Sequence, residues 1–133
     1  MPIFEIPVRT KSRIEMLDIT RQIKDIVRDS GIKDGICILY VPHTTAALAI
    51  NENADPSVRG DIQTTLSKLV PLSGTYSHAE GNADAHIKST ILGVSVTLII
   101  EKGDLLLGTW QGVFFCEFDG PRTRKVIVKV ISD

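Results

Sequence analysis

His43, His78 and His86 are all the histidines in a chain of 133 residues, and each lies at a strand end or in a polar segment. Neutral imidazole is the commonest side-chain metal ligand. Two histidines from one short segment, joined by a third from a distant strand end, would make an open site with a position left for water or substrate. The spacing matches no standard metal signature, since neither HExxH nor CxxC occurs. Any one of the three, taken singly, reads as a hydrogen-bonded loop or core residue. Their neighbours argue otherwise: Glu80, Asn82 and Asp84 alternate between His78 and His86. An extended backbone there would aim all five polar side chains to one side.

A second polar cluster, Asn51-Glu52-Asn53-Ala54-Asp55, reads in part as turn and capping chemistry, which suits Asn53 and Asp55. Glutamate is no turn specialist, so Glu52 stands as a candidate acid, base or ligand. The only tryptophan, Trp110, lies in Gly108-Thr109-Trp110-Gln111-Gly112. It is either a hairpin anchor or a flat surface for a planar ring. Arg122, in the turn Asp119-Gly120-Pro121-Arg122, could grip a phosphate bidentately, whereas Arg124 and Lys125 read as solvated. Cys37 and Cys116 fall within apolar runs and read as small buried hydrophobes, neither reactive nor paired.

The elements that must position these residues follow from periodicity. Ile3 to Arg9 alternates as a strand, and a short strand over Ile14 to Leu17 follows. Ile19, Ile23, Ile26 and Val27 then form one helical face that starts after Asp18 and ends at Gly31. Ser12 with Glu15 offers a competing capping box, set aside because β-type residues precede Asp18. Ile36 to Val41 is an apolar strand stopped by Pro42. Asp55-Pro56 starts a helix whose stripe, Val58, Ile62, Leu66 and Leu69, runs to Pro71. Leu72 to Ala85 reads as a long functional loop, and Ile87 to Leu92 as a short helix before Gly93. Strands are expected over Ser95–Glu101, Leu105–Thr109, Val113–Phe118 and Lys125–Ile131, running back to back through tight turns and therefore antiparallel. The expected class is α+β: one compact domain over residues 1–133, largely antiparallel or mixed sheet with two or three helices.

The net charge of −1, from 15 Lys and Arg against 16 Asp and Glu, removes the footprint of a general nucleic-acid or anionic-membrane binder. No apolar stretch approaches the ~20 residues that cross a bilayer. Met1-Pro2-Ile3-Phe4-Glu5 lacks the charged-then-apolar pattern of a signal peptide, so the chain reads as cytoplasmic.

Several long motifs, in order, closely resemble the YjbQ-like family. They are Pro42-His43-Thr44-Thr45-Ala46-Ala47-Leu48, Ile50-Asn51-Glu52-Asn53, Asp55-Pro56, His78-x-Glu80-Gly81-Asn82-x-Asp84-Ala85-His86-Ile87-Lys88, Leu107-Gly108-Thr109-Trp110-Gln111-Gly112 and Asp119-Gly120-Pro121-Arg122. The resemblance covers essentially the whole chain. It implies a compact α+β fold, a homotrimer, and a polar pocket lined by motif residues at or near subunit boundaries. Members are credited with a secondary thiamine-phosphate synthase activity, which joins hydroxymethylpyrimidine diphosphate to thiazole phosphate with loss of diphosphate. The resemblance also favours one metal site of His43, His78 and His86, suited to zinc, with magnesium arriving on a diphosphate substrate. In that picture Thr44, Thr45, Asn82, Lys88, Trp110, Gln111 and Arg122 bind a phosphorylated small molecule, and Glu52, Glu80 and Asp84 are the candidate catalytic carboxylates. The rival readings are a metal-dependent hydrolase of a phosphoester or similar substrate, and a small-molecule-binding trimer whose activity is incidental.

Overall fold

The computed structural model describes residues 3–133; the N-terminal reading at Met1 and Pro2 lies outside them. Its elements in chain order are β1 (Ile3–Arg9), β2 (Glu15–Asp18), α1 (Thr20–Ser30), β3 (Gly35–Tyr40), β4 (Ala46–Glu52), α2 (Pro56–Leu69), α3 (Ala83–Leu92), β5 (Ser95–Glu101), β6 (Asp104–Leu105), β7 (Gln111–Glu117) and β8 (Thr123–Ser132). The strands form a five-stranded sheet, ordered β1-β8-β3-β5-β6, and a three-stranded sheet, ordered β2-β7-β4. Every pairing is antiparallel. The class is α+β in one compact domain, as expected.

Burial explains the layering. On β8 the pattern alternates strictly, so Val126, Val128 and Val130 face inward with Ile6 and Val8 of β1 and Cys37 and Leu39 of β3. They meet Leu48, Val113 and Phe115 of the small sheet, and Ile23 and Val27 of α1, in the main core. The other face of the small sheet carries Met16, Ala47, Phe114 and Cys116, covered by Ala85 and Leu92 of α3 and Ile62 and Leu66 of α2. β7 is therefore buried on both faces, and truncating Phe114 or Phe115 to alanine would cost about 3–5 kcal/mol.

Several expectations are corrected. Consecutive strands do not generally pair: among the late strands only β5 and β6 form a hairpin, while β7 and β8 enter different sheets. Tight turns carried the antiparallel sense but not the partner, which burial decided. The run Ala46–Glu52, assigned no element from sequence, is strand β4; its small residues fit where the sheet lies against α3. Of the expected 105–109 strand only Leu105 is strand, as the end of β6 (Asp104–Leu105). Glu15 does accept the backbone N–H of Ser12, at 3.1 Å, but this bond opens β2 rather than a helix. Asp18 accepts from the N–H of Thr20, so it serves the start of α1 from two residues upstream. On α2 the stripe holds at Ile62 and Leu66, but Leu69 is 73% exposed.

The largest correction concerns residues 78–86. The backbone is not extended there, because α3 begins at Ala83. A helix separates positions two apart by about 200°, so Asp84 and His86 point to different sides of α3. The helix reaches further N-terminally than its apolar residues indicate because the first turn is held by charge. Asp84 pairs with Lys88 at 3.2 Å and with Arg13 at 3.0 Å, a network invisible to an apolar period.

Candidate functional site

Three segments converge at one end of the sheets: the Pro42-His43-Thr44-Thr45 link from β3 to β4, the start of α3, and the turn leaving β7. Between them lies a polar cleft of about 380 Å³, lined by His43, Thr44, Thr45, Glu80, Asn82, His86, Asp119, Arg122 and Arg124. A wider groove of about 730 Å³ shares Pro42, His43, Thr44 and His86 and continues along Tyr40, Ser89, Thr90 and Val94.

A buried charge network forms the wall of the cleft. Glu117, at the end of β7, accepts from Arg124 Nε at 2.9 Å and from its Nη2, from Thr10 Oγ1 at 2.8 Å, and from the Asp119 N–H at 3.0 Å. Burial alone would raise the pKa of this carboxyl, but the Arg124 bond and the two other donors outweigh it and hold it below the usual value. Gly120 lies where a Cβ would meet the Ser12 carbonyl oxygen at 2.3 Å, so only glycine lets this turn close against the β1–β2 connection. Asp119 is also held low. Burial opposes its charge, but hydrogen bonds from Asn82 Nδ2 and Arg122 Nη2, both 2.9 Å, prevail.

His43 Nε2 accepts the Lys125 backbone N–H at 3.0 Å, which places the proton of the neutral ring on Nδ1. Desolvation, reinforced by the Arg124 charge, lowers its pKa, so His43 is neutral at pH 7. His78 Nε2 donates to Asn82 Oδ1 at 3.0 Å. The His78 and His86 rings meet edge to face with centroids 5.2 Å apart. This is an ordinary edge-to-face contact between two rings, and it is also close to the ~5 Å that separates two imidazoles on one tetrahedral ion. His43 reaches the same cleft as His86, but with Nε2 occupied it would have to offer Nδ1. Among the described residues no three His, Cys, Asp or Glu side chains are gathered as a metal cage.

The remaining sequence-derived candidates divide in two. Thr44, Thr45, Glu80, Asn82 and Arg122 line the cleft with His43 and His86. Asp84 and Lys88 do not: both are fully buried, and Lys88 Nζ lies 5.8 Å over the Phe118 ring. Their chemistry is that of a structural ion pair completed by Arg13. Burial would raise the Asp84 pKa, yet the Arg13 and Lys88 bonds lower it. Glu52, Trp110 and Gln111 stand at the far end of the β4–β7 ribbon. Glu52 pairs with Gln111 there, whereas Ala46 pairs with Glu117 beside the cleft, and six residues of strand span about 20 Å. Glu52 accepts the Asp55 N–H at 3.2 Å, Gln111 Oε1 accepts the Gly108 N–H at 2.8 Å, and Trp110 is 62% exposed. The structure does not bring these three to the histidines within one chain.

Arg124 corrects the reading of that residue as solvated: it is 6% exposed and lines the cleft. A signal was available, because Arg124 shares the inward phase of β8 with Val126, Val128 and Val130, and an arginine on an inward phase needs a partner. Both cysteines are inert as expected, with burial pushing the thiol of Cys37 up to about 11 and that of Cys116 to about 12.

A family model described as UPF0047 protein YjbQ-like matches residues 4–133. The chain belongs to this family. A UPF0047 protein of Methanocaldococcus jannaschii is 54% identical over 98% of this chain and 95% of its own length. UPF0047 protein YugU of Bacillus subtilis is 46% identical over 96% and 97%. A crystal structure of a YjbQ/UPF0047 family protein from Clostridium acetobutylicum superimposes with a TM-score of 0.95 at 51% identity, covering 96% of this chain and 99% of that one. A protein of Sulfolobus solfataricus, described as YbjQ-like and of unknown function, gives 0.95 at 37% identity over 99% and 97%. These likenesses carry the YjbQ fold and family, and the activity has to be argued from the cleft.

Proposed function

We propose that this YjbQ-family chain is a small-molecule enzyme working on a phosphate-bearing substrate in the cleft between His43, His86 and Arg122. The observation that carries the reading is the convergence there of a neutral imidazole with a fixed tautomer, a second imidazole, a guanidinium and a free hydroxyl, drawn from three separate segments. The reaction suggested by the family resemblance is transfer of a pyrimidine-methyl group from its diphosphate to a thiazole nitrogen. The carbon–oxygen bond to diphosphate breaks, the leaving group takes that electron pair, and the ring nitrogen supplies the pair for the new carbon–nitrogen bond. Such a reaction needs charge neutralised on the leaving group and the two partners held together.

Arg122 and Thr44 suit the phosphate oxygens, and the Nδ1–H of His43 is a donor that needs no prior protonation at pH 7. A divalent ion such as zinc, held by His78 and His86, would supply further positive charge near the leaving group, with magnesium arriving on the diphosphate. Glu80, exposed at the rim, would accept a proton or orient an amino group. No helix among the described residues is long and apolar enough to cross a membrane.

The deciding experiment is a coupling assay with the two phosphorylated heterocycles, run with and without added metal, beside hydrolysis of simple phosphoesters. Coupling that falls in Arg122→Ala and His43→Gln supports the transferase. Phosphoester turnover without coupling replaces it with the hydrolase, and no turnover of either kind leaves a binding module.

A further inference from the structure

We infer that Arg124 anchors an oxyanion of the substrate in this cleft together with Arg122, a role that rests on the phosphate-bearing substrate proposed above and that the sequence motifs did not assign. The Arg124 guanidinium is 5% exposed yet lines the cleft. Two of its three nitrogens are committed: Nε and Nη2 to Glu117, and Nη2 also to Thr45 Oγ1 at 2.8 Å. Nη1 makes no hydrogen bond with any described residue. Arg122 repeats the pattern, its Nε donating to the Asp119 carbonyl at 2.8 Å and its Nη2 to Asp119 Oδ2 at 2.9 Å, with Nη1 again free. The Thr44 hydroxyl also bonds no described residue. Three residues that line the cleft thus carry donors without acceptors among the described residues.

A donor surplus selects for a group that only accepts. The oxygens of an ionised phosphate do so, and they match guanidinium geometry. A neutral ligand in the same place would leave N–H groups desolvated and unpaired, at a cost comparable to a lost hydrogen bond each. Net charge is not the source of attraction, because each arginine already has its own carboxylate: Glu117 for Arg124 and Asp119 for Arg122. The selectivity lies in directed N–H groups, and Glu117 fixes the Arg124 fork before any ligand arrives. Lysine, a rotating point charge, would keep the ion pair with Glu117 but lose the aimed third nitrogen.

The test is titration of the full-length protein with inorganic phosphate, followed by calorimetry and by the guanidinium ¹⁵N signals of wild type, with Arg124→Lys as the variant. The expected result is saturable binding, a saturable shift of the Arg124 signal, and affinity lowered about tenfold or more in Arg124→Lys. The wild-type signal keeps the test decisive even where the variant folds poorly. Phosphate binding that moves only the Arg122 signal, with unchanged affinity in Arg124→Lys, overturns the role of Arg124 and leaves the proposed function standing. No saturable phosphate binding overturns both.

Discussion

Arg124 Nε lies 2.9 Å from Glu117 Oε1 with both side chains buried, and the same carboxylate takes donors from Thr10 and the Asp119 backbone. This pair joins the inner face of β8 to the end of β7 and thereby ties the two sheets together at the cleft. Removing one partner leaves the other charge largely buried without its counter-ion. Glu117→Ala is expected to cost about 3–5 kcal/mol, whereas a double replacement by apolar residues of similar volume should recover much of it. Urea unfolding of the two variants beside wild type checks this; equal losses would show that the guanidinium is rescued by solvent in the cleft.

The pH dependence follows from the same groups. Glu117, Asp84 and Asp119 all have folded-state pKa values below their ordinary ones, set by arginine, lysine and amide donors that win over burial. Unfolded, these carboxyls titrate near 4. Their contribution is therefore fully present above the unfolded values and is lost as pH falls through the folded ones. The urea midpoint should stay level in this respect between about pH 7 and 5 and drop steeply below about pH 4. A midpoint that rises on acidification would contradict the assignment.

How far the sequence reached is clearest around α3. Alternation and 3.6-residue periodicity located β1, β5, α1 and α2 because apolar residues dominate those elements. In α3 they reached only Ile87–Leu92 and missed the turn that begins at Ala83, which is stabilised by the buried pair Asp84–Lys88 rather than by an apolar stripe. The same failure turned two core ions into site candidates: a carboxylate among polar neighbours looks alike whether it faces substrate or Arg13. His43, His86, Asn82 and Arg122 were legible because polar residues at strand ends and turns have little core work to do. Arg124 was missed for the opposite reason, since it lies inside a strand and its importance shows only in the phase it shares with three valines.

The Asp84–Lys88 pair yields a test that separates structure from chemistry. Lys88→Met removes a buried cation while leaving Asp84 its bonds to Arg13, and Met suits the apolar contact with Phe118. Asp84→Ala strands Lys88 and should destabilise by about 3–5 kcal/mol. Neither change touches the cleft, so phosphate affinity per folded molecule should remain at the wild-type level in both. A selective loss of phosphate binding in a fully folded Lys88→Met protein would return Lys88 to the site.

Metal content tests the imidazole pair directly. The 5.2 Å ring separation of His78 and His86 suits one shared ion, and His78 needs only to release Asn82 to offer Nε2. Zinc added to chelator-stripped protein should bind, and His86→Ala should weaken that binding by about an order of magnitude or more. His43→Ala, with its Nε2 tied to the Lys125 amide in wild type, should weaken it less. Elemental analysis after dialysis reads both, and unchanged zinc affinity in His86→Ala would remove the shared site.

Assembly is the last expectation with a physical handle. The buried residues of α1, α2 and α3 pack into the two cores, and on the outer face of the five-stranded sheet the outward phases of β3, β5 and β8 place Ile36, Ile99 and Ile131 side by side. Ile36 pairs across the sheet with both Ile99 and Ile131, which makes one continuous apolar strip, and Ile99 is 54% exposed. Contiguous apolar surface of this kind is normally covered by a partner, and the homotrimer implied by the family resemblance would supply one. Ile99→Asp should then shift the protein from trimer towards monomer in light scattering while leaving the secondary-structure signal of the chain intact. A wild-type protein that is monomeric at working concentration, or a variant that stays trimeric, would mean that this face is not where copies meet.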